Sequence, residues 1–229
     1  MDLQFLARLL SIIVINFTLS GDNAIVIALA VRTLPRKQQK VGILWGTVGA
    51  IILRVILTFV AAKILSIPFF QAAGGLLLIY IAIKLTRQEP TSEEDVKQGA
   101  NLMEAIKIII IADLIMSTDN VLAVAAASVV DGRVNLPLLL LGLGLSMPIL
   151  MIGAAFIAML MGKYPWLVQL GAGILGWISG EMLVKDPFIH SRILPYYSTL
   201  KWVAPITGAV GILVIGWLMT VQKSISSRR

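Results

Sequence analysis

The sequence predicts an all-α, polytopic membrane protein with seven transmembrane helices. Of its 229 residues, 58% are hydrophobic and only 14% are charged, and the mean hydropathy is +0.92. Soluble chains carry about 25% charged residues. A second observation is the length of the apolar runs, because a spanning helix needs about 20 such residues. The predicted spans are 9–31, 41–64, 67–86, 105–130, 134–161, 166–184 and 202–221.

An internal repeat at an offset of 97 residues is the third observation. Ser20-Gly21-Asp22-Asn23 matches Ser117-Thr118-Asp119-Asn120, and apolar, Ala-rich stretches follow both segments. Because each repeat has three spans, the second enters the membrane from the opposite side, as in inverted-repeat transporters. The prediction is a single transmembrane domain over 1–229, with repeat one at 5–87, a cytoplasmic linker at 88–102, repeat two at 103–185 and a seventh helix at 202–221.

The distribution of basic residues predicts the orientation. Lys and Arg number twelve at one set of helix ends and six at the other. Since cytoplasmic loops are enriched in these residues, we expect an external N-terminus and a cytoplasmic C-terminus. The net charge of +7 is then a property of the loops, and no nucleic-acid partner is expected.

The sequence lacks the residues that several kinds of functional site require. The chain has no cysteine and a single histidine, His190, which argues against disulfides, thiolate sites and His-built metal centres. It has no Walker-type loop, G-x-S-x-G or H-E-x-x-H motif, so we expect no enzyme. The G-x-G-x-x-G pattern at 171–176 and the G-x-x-x-G pattern of Gly42 and Gly46 lie within spans, where they predict helix packing.

Three aspartates lie inside predicted spans: Asp22, Asp113 and Asp119. An ionisable side chain at mid-bilayer costs at least about 2.5 kcal/mol, so each is expected to meet a cation, a proton or a hydrogen-bonding partner. Polar residues at i, i+4 and i+7 form one stripe in each repeat, Asn16, Ser20 and Asn23 in the first and Asp113, Ser117 and Asn120 in the second. On a regular helix Asp22 and Asp119 lie about 120° from these stripes. Either the helices unwind at 18–21 and 117–118, or each aspartate faces a second helix.

Inverted repeats would bring these segments together at the midplane as an oxygen-rich cage. Carboxylate and amide oxygens suit Mn²⁺, Mg²⁺ or Ca²⁺ as the transported ion, with no organic cofactor. Without a cation the carboxylates repel one another, so metal entry is expected to displace protons. The alternative is that these polar residues only join helices through hydrogen bonds.

Three further charges are candidates for gating or charge coupling. Lys84 and Glu181 occupy equivalent positions in the two repeats, near span ends. They either reach the interface as amphipathic side chains do, or form a gate. Arg54 lies deeper, and we expect it to pair with an acidic residue that the sequence does not identify.

The segments Phe17–Ala24 and Ser117–Ala123 resemble the TerC family of integral membrane proteins, and the resemblance covers about residues 5–185. The compact size is similar to the YjbE-type branch of that family. The resemblance implies Mn²⁺ export across the bacterial inner membrane within the LysE superfamily, and in some members a supply of manganese to secreted enzymes. It also implies that the metal is held by Asp22, Asn23, Asp113, Asp119 and Asn120. Asn16 stands where the repeat would place a counterpart of Asp113, so one carboxylate is missing from a symmetric cage.

The function predicted from these features is a multi-pass secondary transporter that exports divalent ions, above all Mn²⁺, with proton coupling. One rival is a LysE-like exporter of cationic amino acids. Another is a membrane scaffold that supplies metal to secreted enzymes, with the secretion machinery as its partner. The other expected partners are the divalent cation and the lipid bilayer, and the sequence does not decide between a monomer and a homo-oligomer.

Overall fold

A computed structural model describes the backbone of residues 3–65, 67–87, 100–130 and 133–226, which leaves most of the predicted linker outside. The side chains at 3, 61–65, 100, 118–119, 133 and 220–226 are also outside the description. The helices are α1 (Leu3–Leu19), α2 (Gly21–Val31), α3 (Arg36–Leu65), α4 (Phe70–Arg87), α5 (Ala100–Ala127), α6 (Leu136–Lys163), α7 (Trp166–Lys185), α8 (Pro187–Ile193) and α9 (Tyr197–Ser226). A 3-10 turn at Leu194–Tyr196 joins α8 to α9, and two short strands, β1 (Val129–Val130) and β2 (Arg133–Val134), pair antiparallel.

The described helices confirm the predicted class, an all-α polytopic membrane protein. Five helical stretches are long and apolar enough to cross a membrane: Arg36–Val60, Phe70–Arg87, Leu136–Lys163, Trp166–Lys185 and Pro187–Met219, the last of which includes the 3-10 turn. Two bent pairs, Gln4–Leu19 with Gly21–Val31 and Asn101–Ser117 with Asn120–Ala127, raise the number to seven if each pair is one span. Large apolar side chains such as Trp45, Ile52 and Trp217 are exposed, as lipid-facing helix surfaces require.

The chain divides into two compact units by its internal contacts. The first contains residues 1–65 and 91–159, and the second contains residues 66–90 and 160–229. Spans related by the 97-residue offset fall in the same unit. The inverted orientation and the single domain stay predictions.

Helix α3 packs closely along α5 in the first unit. A Cβ atom added at Gly46 would lie 2.8 Å from Cδ1 of Ile109, so the glycine permits this approach. The packing role predicted for Gly46 is therefore confirmed. An apolar cluster that includes Leu9, Ile12 and Leu143 fills the space between α1, α5 and α6.

Small residues bring the helices of the second unit into backbone contact. A Cβ atom at Gly176 of α7 would lie 2.8 Å from the carbonyl carbon of Gly208 in α9. One at Gly75 of α4 would lie 2.8 Å from the carbonyl oxygen of Ser179 in α7. The G-x-G-x-x-G pattern at 171–176 thus serves helix packing, as predicted, because glycine lets transmembrane helices approach closely.

Candidate functional site

The first predicted span is broken at Ser20, where α1 ends and α2 begins. The two helices are inclined by 54°. Ser20 remains tied to the first helix because its backbone N–H donates to the carbonyl of Asn16 (2.9 Å). Of the two alternatives left by the sequence, unwinding within 18–21 is confirmed. Asp22 consequently lies in the first turn of α2, where the helix dipole favours a negative charge.

Arg54 is the centre of a buried polar network in the first unit. Its side chain, on α3, is fully buried. Nη1 donates to Oδ1 of Asn16 (2.5 Å) and to Oγ of Ser20 (3.0 Å). Nη2 donates to Oδ1 of Asp113 at 2.5 Å, and this salt bridge identifies the acidic partner that the sequence left open. A guanidinium and a carboxylate thus compensate each other's charge inside a span.

Asp113, on α5, accepts a second hydrogen bond within this network. Its Oδ1 accepts from Nδ2 of Asn23 (2.6 Å) as well as from Arg54. Nδ2 of Asn16 in turn donates to Oγ of Ser146 on α6 (2.6 Å). Side chains from α1, α2, α3, α5 and α6 are therefore linked. The network includes four of the predicted site residues, Asn16, Ser20, Asn23 and Asp113, and their role in binding a metal ion stays a prediction. Asp22 is partly exposed and lies within electrostatic range of both Asp113 and Arg54.

The matching segment of α5 is bent, but the helix continues through the bend, so the unwinding predicted at 117–118 is not observed. Asn101–Ser117 and Asn120–Ala127 are inclined by 68°. Nδ2 of Asn120 donates to the carbonyl of Leu19 (2.7 Å), which lies at the end of α1. Ser117 is buried, and its Oγ has no hydrogen-bond partner. The side chain of Asp119 lies outside the described residues, so its role stays a prediction.

A narrow cavity adjoins Asp113 within the first unit. It has room for about one water-sized particle. Asn23 and Thr47 line it, and Oδ1 of Asn23 and Oγ1 of Thr47 are buried without a hydrogen-bond partner. Sequence reasoning missed Thr47. Its spacing of i, i+7 from Arg54 on α3 places both on one helix face and is the signal that could have found it.

The predicted oxygen cage for a metal ion stays a prediction. Among the side chains that the structure describes, no group of three His, Cys, Asp or Glu residues is close enough to hold a metal ion. Asp113 is bound to Arg54 and Asn23 rather than facing a second carboxylate. The oxygens available beside it are those of neutral side chains, and whether Asp119 completes a cage stays a prediction.

Lys84 and Glu181, the predicted gate, belong to the second unit. Oε1 of Glu181 accepts from Nζ of Lys185 one turn later on α7 (2.7 Å), and both side chains are about two-fifths exposed. Nζ of Lys84 lies 5.8 Å from the ring centroid of Tyr80, a cation–π distance. These contacts do not test a gate.

Asp186 is a buried carboxylate that sequence reasoning missed. It caps α8 by accepting from the backbone N–H of Phe188 (3.0 Å). The same carboxylate accepts from the backbone N–H of Phe69 (3.2 Å) and of Ala72 (3.3 Å), at the start of α4. The sequence signal was the Asp-Pro pair, which is typical of a helix N-cap followed by proline at N1.

The helices and the buried polar network define a multi-pass integral membrane protein with charged groups inside its spans. The chain belongs to the integral membrane protein TerC family, whose model matches residues 1–224. It is 38% identical to the "uncharacterized membrane protein YjbE" of Bacillus subtilis (strain 168), over 97% of this chain and all of that protein. It is 25% identical to the "uncharacterized membrane protein YkoY" of the same organism, over 94% of this chain and 72% of that protein. No solved structure matches the chain.

Proposed function

We propose that this protein is a secondary transporter that exports divalent metal ions, above all Mn²⁺, from the bacterial cytoplasm in exchange for protons. The observation that carries the proposal is the cavity beside Asp113. Two of its lining residues, Asn23 and Thr47, each carry a buried oxygen without a hydrogen-bond partner, and the third polar lining residue is Asp113. A buried acceptor left without a partner costs about 1–3 kcal/mol, and a cation would satisfy both oxygens at once.

Arg54 gives the empty site its charge balance. Unit charges about 5 Å apart interact by ~3 kcal/mol at an effective dielectric of ~20, and a divalent ion doubles this repulsion. The ion therefore competes with the guanidinium for Asp113, and Arg54 must move away when the ion binds. Asn16 and Ser20, which also accept from Arg54, would hold the displaced side chain.

The broken helices supply the mobile element. Transporters with inverted repeats bind their substrate where spanning helices are interrupted, and one half rocks against the other. The break at Ser20 and the bend in α5 lie next to the network, and each carries one of the paired Asp-Asn segments. Asp22 and Asp119 would provide the negative charge that draws the ion in, and their protonation in the empty protein would couple export to proton entry.

The size of the cavity favours an ion over the cationic amino acid of the LysE-like alternative. Asp113 binds a guanidinium here, as an exporter of arginine would. The cavity, however, takes about one water-sized particle, so an amino acid would need a much larger opening.

The proposal is tested with purified protein in liposomes that contain a Mn²⁺-sensitive dye. We expect Mn²⁺ flux that increases with an imposed proton gradient and is lost in Asp22→Ala, while Ser11→Ala, an exposed polar site on α1, transports normally. Reconstituted wild-type protein that moves no divalent ion would refute transport and leave the metal-supplying scaffold. Reporter fusions after Arg229 test the proposed orientation in the inner membrane, and an external signal there would contradict it.

A further inference from the structure

The cavity beside Asp113 has two methionines in its wall. Met116 on α5 and Met147 on α6 line it together with Asn23, Thr47 and Asp113, and its remaining lining residues are aliphatic. Both methionines are buried. The lining residues of the cavity therefore include an aspartate, two residues with an unpartnered buried oxygen and two methionines, and the other lining residues are apolar.

We infer that Met116 and Met147 make this site selective for divalent transition-metal ions over Mg²⁺ and Ca²⁺. The inference rests on the proposed function and adds to it the residues that discriminate between substrates. A Met side chain has three rotatable bonds and a polarisable sulfur, so the sulfur can turn toward an ion in a cavity that the residue lines. Mg²⁺ and Ca²⁺ take oxygen ligands alone. Mn²⁺ also binds oxygen, but as a first-row transition-metal ion it accepts a thioether more readily than those two ions do.

The small size of the cavity also favours transition-metal ions over Mg²⁺ and Ca²⁺. With room for about one water-sized particle, an ion enters only after it has lost most of its hydration shell. Mg²⁺ gives up its waters reluctantly, and Ca²⁺ requires six to eight oxygen ligands. Neither need is met by Asn23, Thr47 and Asp113, whereas a transition-metal ion gains two sulfurs from the wall. An exporter of such ions needs this discrimination wherever Mg²⁺ is more abundant.

Conservative substitutions test the two sulfurs separately. Met116→Leu and Met147→Leu remove the thioether and nearly preserve the volume, so the fold is expected to tolerate them. Met103→Leu and Met159→Leu, on the same two helices but exposed, are the matched controls. The measurement is Mn²⁺ flux into liposomes at increasing Mg²⁺ concentration, which gives the ratio of the half-saturating concentrations of the two ions.

We expect the apparent affinity for Mn²⁺ to fall about tenfold in each lining variant, as when a supporting residue of a metal site is lost, while inhibition by Mg²⁺ stays unchanged. The half-saturating concentrations of Mn²⁺ and Mg²⁺ would then differ by a factor about ten times smaller than in the wild-type protein. The control variants would keep the wild-type ratio. X-ray absorption of Mn²⁺-loaded wild-type protein should show sulfur in the coordination shell of the ion. The variant that carries both Met116→Leu and Met147→Leu should show no sulfur there. This measurement needs no flux.

Two results would overturn the inference about the methionines without contradicting the proposed transport function. One is a wild-type ratio in both lining variants of a protein that transports Mn²⁺, and the other is a coordination shell of oxygen alone. A wild-type protein that neither binds nor moves any divalent ion would overturn the inference together with the proposed function.

Discussion

Asp113 in the first unit and Asp186 in the second are both buried carboxylates, but they are held in different ways. Asp113 accepts from side chains, those of Arg54 and Asn23, which belong to two other helices. Asp186 accepts from backbone N–H groups at the starts of two helices, among them those of Phe69 and Phe188.

The difference separates a carboxylate that can exchange partners from one that cannot. Side-chain donors leave by a change of rotamer, whereas backbone donors at a helix start move only with the helix. Phe69 strengthens the contrast, because its φ of 65° is in the left-handed region, which costs a bulky residue about 1–3 kcal/mol. Its bond to Asp186 offsets that cost. In the proposed transporter, exchange of cations would therefore take place at Asp113 in the first unit, and Asp186 would have a structural role.

The largest effect is expected from the paired aspartates. Asp22→Ala and Asp119→Ala should each abolish transport in liposomes, because each removes a negative charge that the proposed mechanism uses to draw the ion into the site. Folded protein should persist, as judged by elution from a sizing column in detergent. Wild-type flux in both variants would end the assignment of transport to these segments.

Removing one partner of the buried ion pair should mainly destabilise the protein. Arg54→Gln and Asp113→Asn each leave one uncompensated buried charge, which costs about 3–5 kcal/mol. The double variant leaves none and should regain most of the stability, as thermal unfolding in detergent would show. Asp113→Asn should also weaken Mn²⁺ binding without eliminating it, since an amide oxygen can still coordinate. If the losses of stability in the two single variants simply add in the double variant, Arg54 and Asp113 do not compensate each other's charge.

Asp186→Ala should lower stability by a smaller amount, about 1.5–3 kcal/mol, because its backbone donors lose a charged acceptor. The apparent Mn²⁺ affinity of the folded protein should not change. Asp186→Asn is the matched control, since its amide oxygen can still cap α8, and it should recover part of the loss. A shift in Mn²⁺ affinity with unaltered stability would place Asp186 among the ion-binding residues and remove the contrast with Asp113.

The sequence predicted the fold because the spans follow from composition and run length, which are local properties. The helix break at Ser20 was also predictable, since Gly21 favours unwinding and the hydroxyls of Thr18 and Ser20 can satisfy freed backbone groups. The identity of the partner of Arg54 was not, because helical periodicity gives the face of a residue but not the register between α3 and α5. Asp113 is 59 residues away from Arg54 in the chain.

Asp186 and Thr47 were missed for different reasons. Asp186 follows the sixth predicted span directly, where a charged residue is normally solvated, and its second set of donors lies more than 100 residues earlier. Thr47 carries no charge, so nothing required it to have a partner inside the membrane. Only the cavity and its unpaired hydroxyl reveal it.

The smallest expected effect concerns Lys84 and Glu181. If these two residues form a gate, residues of the second unit would also act on the transported ion. As a gate, Glu181 would draw a departing cation outward, and Lys84 would discourage entry from the cytoplasmic end. The pair of Glu181 with Lys185 is about two-fifths exposed, and such pairs are worth about 0–1 kcal/mol, so affinity should change no more than about fivefold. We expect Glu181→Gln to weaken apparent Mn²⁺ affinity from the external side and Lys84→Met to strengthen it from the cytoplasmic side of oriented liposomes. Lys185→Met is the control that frees Glu181 without removing its charge, and it should not weaken affinity from the external side. Equal changes from both sides, or none, would leave both residues as interfacial side chains and confine ion handling to the first unit.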